Sequence, residues 1–239
     1  MESRYDRQLP IIGEEGQDKL ESAVVGIIGC GGLGTNVATA LASAGIGELV
    51  LMDGDSPSLT NLNRQYVYRE NQTSNKSALL AYWLSSVNPD VSVHSIPEYL
   101  TEDNSDLLDR CDILIDCLDS ISARKVLNRY AMATRKKLIH GGVSGMQGQV
   151  TVMIPGTTPC LECILKINAK GHVLPSICPA VMTIGAIEAM EAIKVITGVG
   201  EPLTGKLLVI DLESEYHETI DLHKNPRCAV CGKTVCRDE

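Results

Sequence analysis

Between Ala23 and His140, short apolar runs alternate with longer amphipathic stretches. Ala23-Val24-Val25-Gly26-Ile27-Ile28 contains no polar side chain and reads as a strand buried on both faces, as parallel strands are. The same pattern predicts strands over 48–52, 91–96, 113–115 and 137–140, with helices over 32–45, 74–87 and 120–135 between them. Residues 3–21 predict one or two short helices with charged faces. Strand and helix in alternation imply a doubly wound, Rossmann-like α/β sheet, parallel and covered on both faces. After Gly141-Gly142 the pattern changes. Segments 149–154, 206–211 and 216–220 read as strands, and an apolar helix, 181–196, follows the first of them. These strands are expected to extend the parallel half with antiparallel ones.

The end of the first strand carries the first chemical signal. Gly29-Cys30-Gly31-Gly32-Leu33-Gly34 joins that strand to its helix, and Asp53 ends the second strand. Glycines at this turn let backbone approach phosphate or ribose, and the strand-end acid bonds ribose hydroxyls. A dehydrogenase would show as much. This chain adds Asp55, Asn61, Arg64, Gln65, Lys76 and Asp119. Arg64 and Lys76 read singly as surface charges. In company with Asn61 and Gln65 they form the fixed positive charge a departing pyrophosphate needs, with arginine as a fork for its oxygens. Asp119 follows a strand at the same crevice, where it either caps helix 120–135 or holds Mg²⁺ beside phosphates. Asp55 reads equally well as an acidic turn residue. An NAD-dependent oxidoreductase accounts for the glycines and Asp53 but leaves Arg64, Lys76 and Asp119 without a task. Intact phosphate-binding residues weigh against a third class, an inactive adaptor of the same fold.

Bulk properties narrow the partners. The chain of 239 residues is 44% hydrophobic and 21% charged, with a formal net charge of −9. Nucleic acid and anionic membrane surfaces both call for clustered Lys and Arg, so neither is an expected partner. No apolar run approaches the roughly 20 residues of a membrane span, and the N-terminal residues lack a signal-peptide pattern, so a cytoplasmic location is expected. No Pro/Gly/Ser-rich linker divides the sequence. It is read as one domain over 1–239: a helical arm, 1–22, a nucleotide-binding half, 23–143, and a substrate-facing half, 144–239.

Nine cysteines include two Cys-x-x-Cys pairs, Cys160 with Cys163 and Cys228 with Cys231. Two such pairs suit tetrahedral Zn²⁺ in a closed, structural site; a redox dithiol ordinarily needs only one pair. Cys30, Cys111 and Cys117 read as core, and Cys236 as a spare thiol. Cys178 precedes Pro179 near the start of the long apolar helix. A helix N-terminus lowers a thiol pKa, which makes Cys178 a candidate nucleophile; a small buried cysteine is the ordinary alternative. His94, His140, His172, His217 and His223 share no metal-ligand spacing.

Taken together, the motifs resemble the MoeB/ThiF/HesA group, relatives of the adenylation half of ubiquitin-activating enzymes. The matching pieces are Arg4-Tyr5-Asp6-Arg7-Gln8, Gly29 to Gly34, Asp53-x-Asp55, Asn61-Leu62-x-Arg64-Gln65 and Asp116-Cys117-x-Asp119, followed by Gly148-Gln149-Val150, both Cys-x-x-Cys pairs and Ala189 to Lys194. The resemblance implies ATP-dependent adenylation of the C-terminal glycine of a ubiquitin-like or sulfur-carrier protein ending in Gly-Gly. Pyrophosphate leaves, and an acyl-adenylate remains for sulfur or thiol attack. By matched position Asp53 holds the ribose, Asp119 the Mg²⁺, and Asn61, Arg64 and Lys76 the phosphates. The resemblance makes Arg7 the arginine that a homodimer inserts into the neighbouring subunit's ATP site, gives residues 144–239 the carrier and the zinc, and leaves sulfur to a separate donor protein. Two departures stand out. Ser74-Asn75-Lys76 replaces the usual Gly-x-Pro-Lys approach to the lysine. Cys178 falls where relatives with a Thr-Cys nucleophile have Gly or Ala before Pro.

Overall fold

The computed structural model describes residues 2–164 and 175–232; His172 and Cys236 lie outside the described residues. Eight strands form one sheet in the order β3-β2-β1-β4-β5-β6-β7-β8. The strands β1 (Val24–Ile28), β2 (Glu48–Met52), β3 (Ser92–Ile96), β4 (Ile113–Asp116) and β5 (Lys137–Ser144) run parallel. Beyond them β6 (Gln147–Met153), β7 (Lys206–Asp211) and β8 (Tyr216–Asp221) are antiparallel, as the change of pattern predicts.

Alternate side chains of the central strands enter two different cores. Val25, Ile27, Leu49, Leu51, Ile113 and Ile115 meet α2 (Gly32–Ala44), α3 (Lys76–Val87) and α6 (Cys178–Thr197) on one face. Ile28, Val50, Met52 and Leu114 meet α4 (Ile121–Thr134) and the single turn α5 (Leu161–Ile164) on the other. Two-sided burial is why these strands lack polar positions. α6 also packs against α1 (Leu9–Ser22), which kinks at Gly13. Every residue of β8 is exposed, so among the described residues no helix covers that end of the sheet.

Several boundaries differ from the sequence pattern. β5 continues through Gly141-Gly142 to Ser144 and turns at Gly145, whose φ is +64°, into β6. Those glycines interrupt the apolar pattern, but backbone pairing to β6 carries the strand through them. α6 begins at Cys178 itself, and Ser120, rather than Asp119, caps α4 by accepting the Ala123 N–H. Among the described residues no helix is long and apolar enough to cross a membrane.

The consequence for function lies in the strand order. β1 is flanked by β2 on one side and β4 on the other, with the chain crossing in opposite directions to reach them. That arrangement opens a crevice at the carboxyl ends of β1, β2 and β4.

Candidate active site

The glycine turn forms the floor of this crevice. Gly29, at φ +97°, brings its Cα so near β4 that a Cβ would stand 2.6 Å from the Cys117 carbonyl. A Cβ on Gly34 would strike the Gly29 carbonyl, so the helix can start this close to the strand only with glycine there. Gly31 occupies the N-cap position of α2 and Gly32 its first turn, and no side chain caps the helix. The first N–H groups of α2 are therefore left for a ligand, at the positive end of the helix dipole.

Asp53, just past β2, supports that turn. Its carboxylate accepts the Cys30 N–H at 2.7 Å and the Asp55 N–H at 2.7 Å. Burial lifts the Asp53 pKa above its usual value, against the pull of those two N–H groups. Lys76, the first residue of α3, is buried and reaches Asp55 at 3.1 Å, while its own N–H bonds the Asp55 carbonyl at 2.8 Å. Burial works against the charge of Asp55, but the Tyr99 hydroxyl and Lys76 outweigh it and hold its carboxyl below the usual value. Asn75 caps α3 through the Ser77 N–H and also donates to the Asp53 carbonyl at 2.8 Å. The Ser74-Asn75-Lys76 approach thus fixes the lysine by a capped helix start.

The segment after β2 closes over the glycines. Gln65 is buried, with its Nε2 3.5 Å from where a Gly31 Cβ would be and its Oε1 without a hydrogen-bond partner among the described residues. The Arg64 stem passes within 3.6 Å of the same point on Gly32, and its guanidinium bonds the Thr60 carbonyl and Asn63. Asn61 accepts the Ser58 N–H in a capping box. Asp119 is exposed beyond β4, and its charge acts with those of Asp55 and Asp53 on the Tyr99 hydroxyl, whose pKa is raised chiefly by its bond to Asp55. One crevice therefore gathers the glycine turn, Asp53, Asp55, Arg64, Gln65, Lys76 and Asp119. The uncapped helix start offers N–H donors to an anionic group such as a phosphate of ATP, and the orphaned Gln65 oxygen calls for a donor such as a hydroxyl or amino group.

Two predicted residues stand apart. Arg7 is exposed before α1 and forms no hydrogen bond or ion pair through its side chain among the described residues. Cys178 is half-buried at the first turn of α6 rather than part of the core. Cys30, Cys111 and Cys117 are buried as expected.

The four remaining cysteines do meet. Sulfur atoms of Cys160, Cys163, Cys228 and Cys231 all lie within 4.8 Å of one another, with Cys160–Cys228 at 3.7 Å and Cys163–Cys231 at 3.3 Å. Tetrahedral Zn–S bonds of about 2.3 Å need sulfur separations of this size. The cluster could hold zinc, far from the nucleotide turn in sequence and with no open position.

Several residues of the site are not assigned a role from the sequence. Tyr68 is buried and donates to the Cys30 carbonyl at 2.6 Å, and Tyr99 bonds Asp55. Behind β4, Asp116 accepts from His140 Nδ1 at 2.7 Å and Arg124 lies beside both. Burial disfavours the Asp116 charge, but Arg124 and His140 outweigh it and keep the carboxyl below the usual range. Burial, then Arg124, pushes His140 down, so it is neutral at physiological pH. Asn75 falls inside the helix that the sequence pattern predicts over 74–87, and the structure makes it the cap of a helix starting at Lys76; His140 offers only its position at the end of an apolar strand.

Comparison with known proteins agrees with this geometry. The ThiF family model matches residues 5–230. The HesA heterocyst protein of Trichormus variabilis is 37% identical over 238 residues, covering 96% of this chain and 88% of that protein. A sulfur carrier protein adenylyltransferase of Thermus thermophilus is 35% identical, covering 96% and 90%. Among solved structures, E. coli MccB with ATP superposes with a TM-score of 0.85 at 28% identity, covering 97% of this chain and 74% of that one. The chain therefore belongs to the ThiF family and is an adenylyltransferase.

Proposed function

We propose that this protein adenylates the C-terminal glycine of a ubiquitin-like or sulfur-carrier protein, with ATP as the second substrate. The observation that carries this reading is the convergence, at the carboxyl ends of β1, β2 and β4, of an uncapped glycine turn with Asp53, Lys76, Arg64 and Asp119. In this reading Asp53 bonds the ribose, the α2 N-terminus faces phosphate oxygens, and Arg64, Lys76, Asn61 and Gln65 hold the triphosphate. The carrier's terminal carboxylate attacks the α-phosphorus, the bond to the β-phosphate oxygen breaks, and the arginine and lysine stabilise the charge on the departing pyrophosphate. Asp119, exposed at the crevice, is the carboxylate placed to hold Mg²⁺, which when bound neutralises phosphate charge. The name of the Thermus relative supports a sulfur carrier as partner. Residues 144–239 would then contribute the carrier-facing and zinc-holding half. Neither step calls on Cys178, which belongs to any later thioester or persulfide chemistry.

Exchange of labelled pyrophosphate into ATP tests the reading. Exchange should require Mg²⁺ and a carrier with a free Gly-Gly end. Arg64→Ala and Asp119→Ala should each lower it about 10²–10³-fold while the protein stays folded. No exchange with any Gly-Gly carrier would overturn the carrier assignment. Near-normal exchange in either variant would remove that residue from the site.

A further inference from the structure

The chain between β4 and α4 is held by groups that the adenylation reading does not use. Asp116 is fully buried at the end of β4, and one of its oxygens accepts the Leu118 N–H at 3.2 Å. Arg124, one turn into α4, grips the other side of the same residue: its Nε donates to the Leu118 carbonyl at 2.9 Å and Nη2 joins it. The guanidinium is 3.8 Å from Asp116 and nearly equidistant, at 3.2 and 3.3 Å, from the two ring nitrogens of His140. His140, on β5 in register with Asp116, gives Nδ1–H to the second Asp116 oxygen, and Gln149 from β6 lies 3.2 Å from Nε2. With Nδ1 as donor and Nε2 as acceptor the neutral ring satisfies both neighbours. These groups hold Leu118 in place by its N–H and its carbonyl.

Leu118 is not an ordinary loop residue. Gly29, the first glycine of the nucleotide turn, packs against the Cys117–Leu118 peptide, within 3.2 Å of the Leu118 nitrogen for a Cβ at that position. The next residue is Asp119, whose exposed carboxylate has no hydrogen bond among the described residues to orient it. Its position is therefore set by its backbone. We propose that Asp116, Arg124 and His140 are positioning residues: a buried clamp on Leu118 that sets the Asp119 carboxylate and the glycine turn at a fixed separation. The structural half of this inference stands alone; its bearing on metal rests on the assignment of Asp119 as the Mg²⁺ ligand. Partners behind a metal-binding group ordinarily alter affinity by about 10–100-fold.

Two measurements test the clamp in the intact protein. Amide hydrogen exchange over 117–120 reads the backbone, and paramagnetic titration of Mn²⁺ with a non-hydrolysable ATP analogue reads the metal. Arg124→Lys keeps the charge but loses the fork. His140→Leu removes the donor to Asp116, whereas His140→Asn can supply an N–H in its place. Faster exchange confined to 117–120, with α3 unchanged, is expected in Arg124→Lys and His140→Leu, together with Mn²⁺ binding weakened about tenfold or more. His140→Asn should recover most of both. Native exchange over 117–120 in the first two variants would overturn the clamp, as would faster exchange spread evenly over the sheet. Should Asp119→Ala leave Mn²⁺ binding untouched, the metal assignment fails and the exchange measurement alone decides the clamp.

Discussion

Glu188 lies on the buried side of α6 with its carboxyl where a Gly141 Cβ would otherwise be. Its Oε2 has no hydrogen-bond partner among the described residues, and Cys117 offers only a weak donor at 3.9 Å to Oε1. Burial, reinforced by the charge of Asp116, pushes its pKa well above the usual carboxylate value and so favours the protonated form in the fold. The sign of the linkage follows. Below the unfolded pKa of about 4.3 both states hold the proton and stability is unaffected. Above it only the unfolded chain releases the proton, so stability declines as pH rises toward the native pKa, by at most about 1.4 kcal/mol per pH unit. Glu188→Gln keeps the shape without the ionisable proton and should gain stability over the native protein progressively as pH rises above the unfolded carboxylate pKa of about 4.3. Urea unfolding at several pH values checks this; parallel curves for the two proteins would mean that Glu188 is ionised in the fold. Neither Glu188 nor the pairing of Asp116 with His140 was legible in the sequence. The glycines, Asp53 and Lys76 sit in local motifs, whereas these groups meet only through sheet register and the packing of α6, which leave no fixed spacing in the chain.

Most elements were legible because apolar runs buried on two faces admit no polar residue. At the start of the antiparallel half the strands run through glycines that the apolar pattern leaves out. Gly141 lies within β5 because Glu188 packs on its Cα, and Gly148 lies within β6 because Ile184 does. Close approach of a helix, rather than a turn, selects glycine at both positions. The cysteine pairs were legible as a metal signal, and the fold explains their separation. One pair straddles the start of α5, with Cys160 just before it and Cys163 on it, and α5 anchors to α4, where Asn128 accepts the Leu161 N–H at 3.0 Å. The other pair lies in a tight turn in which the Gly232 N–H bonds the Cys228 carbonyl at 2.9 Å. A metal between them would tie the chain beyond β8 to the α4 side of the sheet. Protein purified without chelators should therefore contain a single tightly held zinc ion per chain, and Cys228→Ser should lose it and melt at a lower temperature. Metal-free protein with four freely titratable thiols and unchanged melting would refute the staple.

At the scale of the whole molecule, one predicted site residue has no local role. Arg7 is exposed, and among the described residues its side chain makes no bond that would bring it to the crevice of its own subunit. The helix that follows Arg7, α1, and the helix packed against it, α6, expose apolar side chains, Ile11 at 71% and Met190 at 53%, which a second subunit would cover. The family resemblance places this arginine across a two-fold interface, and a symmetric homodimer is the commonest closed assembly. The expected outcome is a dimer in which Arg7 acts on the ATP phosphates of the partner's site. Complementation separates the possibilities. An Arg7→Ala chain and an Asp119→Ala chain should each be inactive alone. If Arg7 acts across the interface, a mixed dimer has one site lacking both groups and one site with both, so pyrophosphate exchange returns. If Arg7 acts within its own chain, every mixed site lacks one group and nothing returns. Subunit exchange can be followed independently by mixing tagged and untagged chains. Exchange of subunits without recovery of activity would show that the two groups belong to one chain's site, and the arm before α1 would then have to fold back over its own nucleotide.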